Sequence, residues 1–175
     1  MRESRLQFIR QQGFEALPSD NHLYSALMFQ PRIIGGLVVF AIVSHSPWLF
    51  LVLSAVLWWN ALVPTHNLFD AIYNHAVAGP RGLARLDAAP APRRFAQGMA
   101  GTLAIAIGAA LMLGATTAAR IFEALFGIAL MALIFARFCV GSCAYHVLQQ
   151  RLPMKHQSSV SRGNHLCDPA DGRIT

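Results

Sequence analysis

The chain has 175 residues, of which 55% are hydrophobic and only 13% are charged, and its formal net charge is +6 at pH 7. A soluble globular domain carries about 25% charged residues, so this composition argues against an ordinary soluble domain and indicates a membrane protein. The basic residues flank apolar runs rather than covering one face, and the positive charge therefore does not predict nucleic-acid binding.

The first half of the chain predicts a polar segment followed by a helical hairpin. Residues 1–24 are polar, with enough apolar side chains for a short amphipathic helix on the surface. The first apolar helix is predicted over 31–44, because Pro31 suits a first helical turn. A polar turn separates it from a second helix over 47–63. Both are short for a hydrocarbon layer that needs roughly 20 residues, so a hairpin that enters the bilayer without crossing it stays an alternative.

The second half predicts an interfacial helix, a second hairpin and a tail. Apolar residues at helical spacing predict an amphipathic helix over 65–78, lying in the membrane interface. Two further apolar helices are predicted over 95–114 and 119–139, and a disordered tail over 152–175. A segment that crosses lipid must be helical to satisfy its backbone. The predicted fold is therefore all-α: residues 25–151 form an integral membrane bundle of four transmembrane helices, in two hairpins, plus the interfacial helix.

The basic residues predict the topology of this bundle. The chain contains 14 Lys and Arg residues, and all but Arg120 lie in the N-terminal region, in the loop before the third helix, or on the C-terminal side. Arg120 can pair with Glu123, about one turn along a helix. Cytoplasmic loops carry the excess of Lys and Arg, so with four crossings the three basic regions, and both termini, are predicted to be cytoplasmic.

The segment from Cys139 to His146 is the strongest candidate for chemistry. On a helix, Cys139, Cys143 and His146 would share one face. Two thiols at this spacing can cycle between dithiol and disulfide, so Cys139 and Cys143 form a candidate redox pair. Thiolates also bind soft or borderline metal ions, so all three residues form a candidate metal site. The alternative is that both cysteines only pack at the end of a membrane helix.

A second candidate lies on the interfacial helix. His66 and Asp70 are four residues apart and can form a hydrogen bond, and His75 follows one turn later. A solvated polar helix face explains the same three residues. If the two hairpins pack together, this helix and the cysteine segment lie on the same side and can share one site.

Small residues recur every fourth position in the third apolar helix, at Ala100, Ala104 and Gly108. Helices in lipid pack closely along such stripes, so the stripe predicts contact with a membrane-protein partner or a homo-oligomer, in addition to the lipid bilayer. Alternatively, alanine is simply common in this helix.

Several motifs of known chemistry are missing from the sequence. It contains no glycine-rich phosphate loop, no nucleophile elbow and no HExxH motif, so an enzyme is not favoured and no cofactor is predicted. No carboxylate falls in the middle of a predicted membrane helix, where an ion pathway would need one. This argues against an ion-coupled transporter but leaves a facilitator open.

Three segments of the chain, at 64–75, 91–98 and 138–143, carry a resemblance to a known family. They resemble the bacterial membrane family known as domain of unknown function 4395, over roughly residues 25–151. The resemblance implies a four-helix protein of the bacterial inner membrane with no established activity. Its Phe-Cys-Leu-Gly-Cys type motif carries over onto Phe138, Cys139, Val140 and Gly141, but Ser142 is inserted before the second cysteine. The pair is therefore spaced CxxxC, whereas established redox chemistry belongs to CxxC.

Three functional hypotheses follow for the predicted bacterial inner-membrane protein. The first is an accessory role in thiol or sulfur redox handling through Cys139 and Cys143. The second is a structural or assembly subunit without chemistry, which packs through its small-residue stripe. The third is a metal-binding or small-solute transport protein.

Overall fold

The computed structural model describes residues 2–15, 21–83 and 85–151, and these are helical throughout, without a strand. The tail predicted at 152–175, which includes Cys167, lies outside the described residues. The helices in chain order are α1 (Arg2–Gln11), α2 (Asn21–Val43), α3 (Pro47–Leu62), α4 (Leu68–Tyr73), α5 (Gly79–Arg81), α6 (Ala91–Met112), α7 (Thr116–Phe135) and α8 (Val140–Arg151), with a 3-10 turn over Pro64–His66 and a π-helical turn over Asn74–Ala78.

Helices α2, α3, α6 and α7 form a bundle. The most extensive contact is between α3 and α6, while α7 packs against both α6 and α2. Apolar side chains from all four helices fill the core, among them Val38, Phe50, Leu57, Ile107 and Phe126. This arrangement agrees with the predicted pair of hairpins.

The bundle has two chemically different ends. The turn end consists of residues 44–46 and 113–115, and the guanidinium of Arg120 links its two hairpins by lying 3.5 Å from Nδ1 of His45. The polar end consists of α1, α4, α5 and α8 with the adjoining ends of the four bundle helices. α1 is the surface helix that the sequence predicts, and its Phe8 and Ile9 are buried in a second apolar cluster with residues of α2.

Three helices, not the predicted four, are long and apolar enough to cross a membrane: Leu23–Val43 within α2, α6 and α7. α3 is equally apolar but has 16 residues, which span about 24 Å at 1.5 Å per residue. Pro47 fixes its first turn, and Val63 ends it immediately before Pro64. The flanking prolines therefore make this helix shorter than a bilayer-spanning one.

Two helices begin earlier than the sequence predicts. α2 begins at Asn21 and contains Pro31 in its interior. Proline removes one backbone hydrogen bond from a helix, and α2 continues through it because its first turns pack against α1 and α4. α6 begins at Ala91 rather than at 95, since Pro92 occupies its first turn. Arg93 and Arg94, predicted to lie in a loop, are therefore helical.

The predicted interfacial helix over 65–78 is divided into shorter pieces. The side chain of Asn67 accepts hydrogen bonds from the N–H groups of Phe69 and Asp70, at 3.1 and 3.4 Å, and this N-cap fixes the start of α4. The predicted apolar face is divided too. Phe69 is buried against the bundle, whereas Leu68 and Ile72 are exposed.

The fourth predicted helix, over 119–139, ends at Phe135, and a turn separates it from α8. Arg137 lies in this turn with φ of +56°, a left-handed conformation that is uncommon for a residue other than glycine. Contacts with α1 and α2 hold it there: its guanidinium donates to Oγ of Ser4 at 2.6 Å and lies 5.6 Å from the ring centre of Tyr24. The predicted interaction of Arg137 with lipid headgroups is thus replaced by contacts within the chain.

Candidate functional site

Cys139 lies in the turn before α8 and is a buried free thiol, with 6% of its surface exposed. Its backbone N–H donates to Oε1 of Gln11 at 2.9 Å, which ties the turn to the end of α1. The hydroxyl of Ser142 lies 3.3 Å from its sulfur. Neighbouring helices therefore fix the position of this thiol.

The other two members of the predicted cysteine site lie on α8. The N–H of Cys143 donates to the carbonyl of Cys139 at 3.0 Å, in the first turn of the helix. His146 Nε2 lies 3.2 Å from the carbonyl oxygen of Gln11. Because Cys139 is free, no disulfide joins it to Cys143, and this corrects the expectation of an observed cysteine pair. Among the described residues, no three His, Cys, Asp or Glu side chains are placed to hold a metal ion.

A buried ion pair lies near this thiol at the polar end. The guanidinium of Arg93 donates to both carboxylate oxygens of Asp70, at 2.6 and 3.0 Å. Arg93 is 4% exposed and Asp70 is 7% exposed. Two parallel hydrogen bonds of this kind give a strong and geometrically specific pair, so the contact fixes α4 against the first turn of α6.

Two glutamines extend this ion pair into the bundle. Gln30 Oε1 accepts from Nη2 of Arg93 at 2.7 Å and from Nε2 of Gln97 at 3.1 Å. Rotating the Gln97 amide by 180° would place two carbonyl oxygens against each other, so the network determines which way this amide points. In that orientation Oε1 of Gln97 is buried and has no hydrogen-bond partner among the described residues. These four residues, Gln30, Asp70, Arg93 and Gln97, are the Arg93 network.

The network and the thiol border one cavity of about 170 Å³. Gln30, Arg93, Gln97 and Cys139 line it together with Gln12. The remaining lining is mainly apolar and comes from α2, α6 and α7, including Ile34, Leu103, Phe126, Leu130 and Leu133. An apolar pocket with a few convergent polar groups is the usual form of a small-molecule site, and we take this cavity as the candidate site.

The second predicted cluster does not assemble. Asp70 binds Arg93, not His66, and it is buried rather than solvated. His66 is exposed and its Nδ1 lies 2.9 Å from the hydroxyl of Thr65. His75 is exposed as well. The prediction that this helix and the cysteine segment meet at one end is confirmed, but only Asp70 takes part.

The small-residue stripe of α6 packs inside the chain, against α3. Ala104 is fully buried, and Ala100 packs on the same core. A Cβ added at Gly108 would approach Leu51 to 2.9 Å. Close packing along the stripe is therefore confirmed, and its partner is α3. The interface with another membrane protein or a second copy stays a prediction, and these buried atoms are not available for it.

Gln11, Gln30, Arg93 and Gln97 are site residues that the sequence reasoning missed. Arg93 was counted only as a topology-determining charge. A signal existed for the glutamines, since Gln97 is one of only two hydrogen-bonding side chains in the third apolar run. A polar side chain in an apolar helix usually marks a buried contact or a functional site.

Comparison with known proteins gives one match. No curated protein and no solved structure matches the chain. A family with the description Domain of unknown function (DUF4395) matches residues 25–150, which confirms the resemblance that the sequence carries and includes α2 to α7 and most of α8. The chain belongs to this family.

Proposed function

We propose that the protein is a multi-pass membrane protein of the bacterial inner membrane that takes part in thiol or sulfur handling through Cys139. One observation carries the chemical part of this proposal. The free thiol of Cys139 lines a cavity that also holds the polar groups of the Arg93 network.

The membrane part rests on hydropathy and charge. Three helices are long and apolar enough to cross a bilayer. The shorter α3 runs from the turn end to the polar end, where the Ala61 carbonyl accepts from Nε of Arg94 at 2.8 Å. Four passes therefore connect the two ends of the bundle. By the excess of Lys and Arg on one side, the polar end and both termini face the cytoplasm.

The reaction we propose is thiol–disulfide exchange. The Cys139 thiol loses its proton, and the thiolate attacks one sulfur of a small disulfide substrate. A new S–S bond to Cys139 forms while the substrate S–S bond breaks, and the second substrate sulfur leaves as a thiolate. A second thiol then attacks the mixed disulfide and regenerates or oxidises the site. Cys143, one helical turn away, and an external thiol are the two candidates for this step.

Thiol labelling tests the location and the chemistry together. A Cys167→Ser protein is treated with a membrane-impermeant maleimide in intact and in lysed cells, with and without prior reductant, and modified cysteines are identified by mass spectrometry. We expect Cys139 labelling only after lysis, and more labelling after reduction. Labelling from outside intact cells would overturn the topology, and a thiol that stays reduced and unreactive until denaturation would overturn the exchange chemistry.

The second step is separated by one further variant. In Cys143→Ser protein, an incoming disulfide is expected to remain attached to Cys139 if Cys143 normally resolves it. The mixed disulfide then accumulates to a detectable mass. If an external thiol resolves it, the amount of mixed disulfide stays the same as in the protein that keeps Cys143.

A further inference from the structure

We infer that the cavity beside the Arg93 network is a binding site for a small, neutral and largely apolar molecule that carries one hydrogen-bond donor, such as a phenol or a short alcohol. The donor binds Oε1 of Gln97. This inference does not depend on sulfur chemistry at Cys139.

The size of the ligand follows from the cavity. Its volume is about 170 Å³, and an apolar protein cavity of about 150 Å³ holds benzene. The apolar lining by Leu103, Phe126 and Leu130 suits a molecule of about that size and polarity.

The donor follows from the unpartnered oxygen. Gln97 is 5% exposed, and its Nε2 is used by Gln30. Its Oε1 is a buried acceptor without a hydrogen bond among the described residues. Leaving such a group unsatisfied is costly, so a ligand that brings an O–H or N–H group gains a hydrogen bond that a hydrocarbon of the same shape does not.

The absence of charge on the ligand follows from the ion pair. The positive charge of Arg93 is neutralised by both oxygens of Asp70. A carboxylate or phosphate entering the cavity would meet the Gln97 carbonyl oxygen and no free counter-charge. Because burying an unpaired charge is strongly unfavourable, the site selects neutral molecules.

Phenol and benzene are the probes, since they share a ring and differ by the donor. Full-length protein in lipid nanodiscs is equilibrated by dialysis with each radiolabelled probe, and uptake by empty nanodiscs is subtracted. We expect saturable binding of both, with phenol about tenfold tighter, which corresponds to about 1.4 kcal/mol. Gln97→Met is expected to lower the affinity for phenol to that for benzene, while Gln150→Met, at an exposed position, changes neither.

Two further variants keep the test decisive. Ala129→Leu places a larger side chain in the cavity lining and is expected to abolish binding of both probes, so it locates the site even if Gln97→Met does not fold. Cys139→Ser is expected to keep the preference for phenol, which separates this site from the thiol chemistry. Equal affinity for the two probes in the unmodified protein, no saturable binding, or a phenol preference that survives in folded Gln97→Met protein would each overturn the inference.

Discussion

Each end of the bundle holds an arginine–carboxylate pair, but the two pairs differ in every physical respect. At the turn end, Arg120 and Glu123 are three residues apart on one helix, and the Arg120 side chain is 58% exposed. At the polar end, Asp70 and Arg93 come from different helices, and their side chains are 9% and 5% exposed. An exposed pair contributes little because water and salt screen it, whereas breaking a buried pair leaves an uncompensated charge.

The difference also separates what local sequence can reveal from what tertiary packing creates. The pair of Arg120 and Glu123 follows from helical spacing alone. The Arg93 network joins residues on α2, α4 and α6, and Gln30 lies 63 positions from Arg93. The candidate site is therefore a product of folding, and the following variants test how strongly the polar end depends on it.

The largest effect is expected from Asp70→Asn. This change removes the anion that faces a buried guanidinium, and removing one partner of a buried pair costs about 3–5 kcal/mol. We expect the free energy of unfolding to fall by this amount in a denaturant titration of the purified protein followed by circular dichroism. Asp87→Asn, at an exposed carboxylate, serves as the control and is expected to have no measurable effect.

A double variant distinguishes an ion pair from a general packing loss. Replacing both partners, as Asp70→Asn with Arg93→Met, removes the stranded charge and is expected to restore part of the lost stability. Losses that simply add in the double variant would contradict the view that the two side chains stabilise each other.

The sequence predicted the helical class, the turn at 44–46 and the pairing of Arg120 with Glu123, because each depends on neighbouring residues. It failed at Pro31, where tertiary contacts carry α2 through a residue that usually starts or ends a helix. It also failed over 136–139, where α7 stops at a left-handed arginine. No local pattern predicts a conformation that contacts from α1 and α2 impose on Arg137.

The candidate site was predicted only in part. Cys139 and Asp70 were both singled out by their chemical type, and both belong to the polar end. Their assigned neighbours were wrong, because helical spacing suggested His66 as the partner of Asp70 while folding supplied Arg93. Spacing describes one helix at a time, and the polar end brings five helices together.

An intermediate effect is expected where α8 meets α6. A Cβ added at Gly141 would lie 2.7 Å from the backbone Cα of Ala96, so Gly141→Ala forces the two helices apart. Overpacking of this kind typically costs about 1–3 kcal/mol, and the turn that holds Cys139 should loosen with it. Thermal unfolding and the rate of Cys139 alkylation measure the two consequences.

Gly127→Ala is the matched control for this contact, because nothing lies within 4 Å of a Cβ added there. Alanine is a better helix former than glycine by up to about 1 kcal/mol, so this variant should be as stable as the unmodified protein or slightly more so. If Gly141→Ala behaved in the same way, α8 would not be held closely on α6.

The smallest effect is expected at the turn end, from Glu123→Gln. Its Oε2 lies 3.2 Å from Arg120 Nη1, yet the exposed guanidinium stays solvated when the carboxylate is removed, so no charge is left buried. The loss should be below about 1 kcal/mol. Measured in the same titration as Asp70→Asn, a loss as large as the one at Asp70 would show that the two ends are equally dependent on their ion pairs. A small loss would place the main polar constraint on the bundle at the end that contains the cavity.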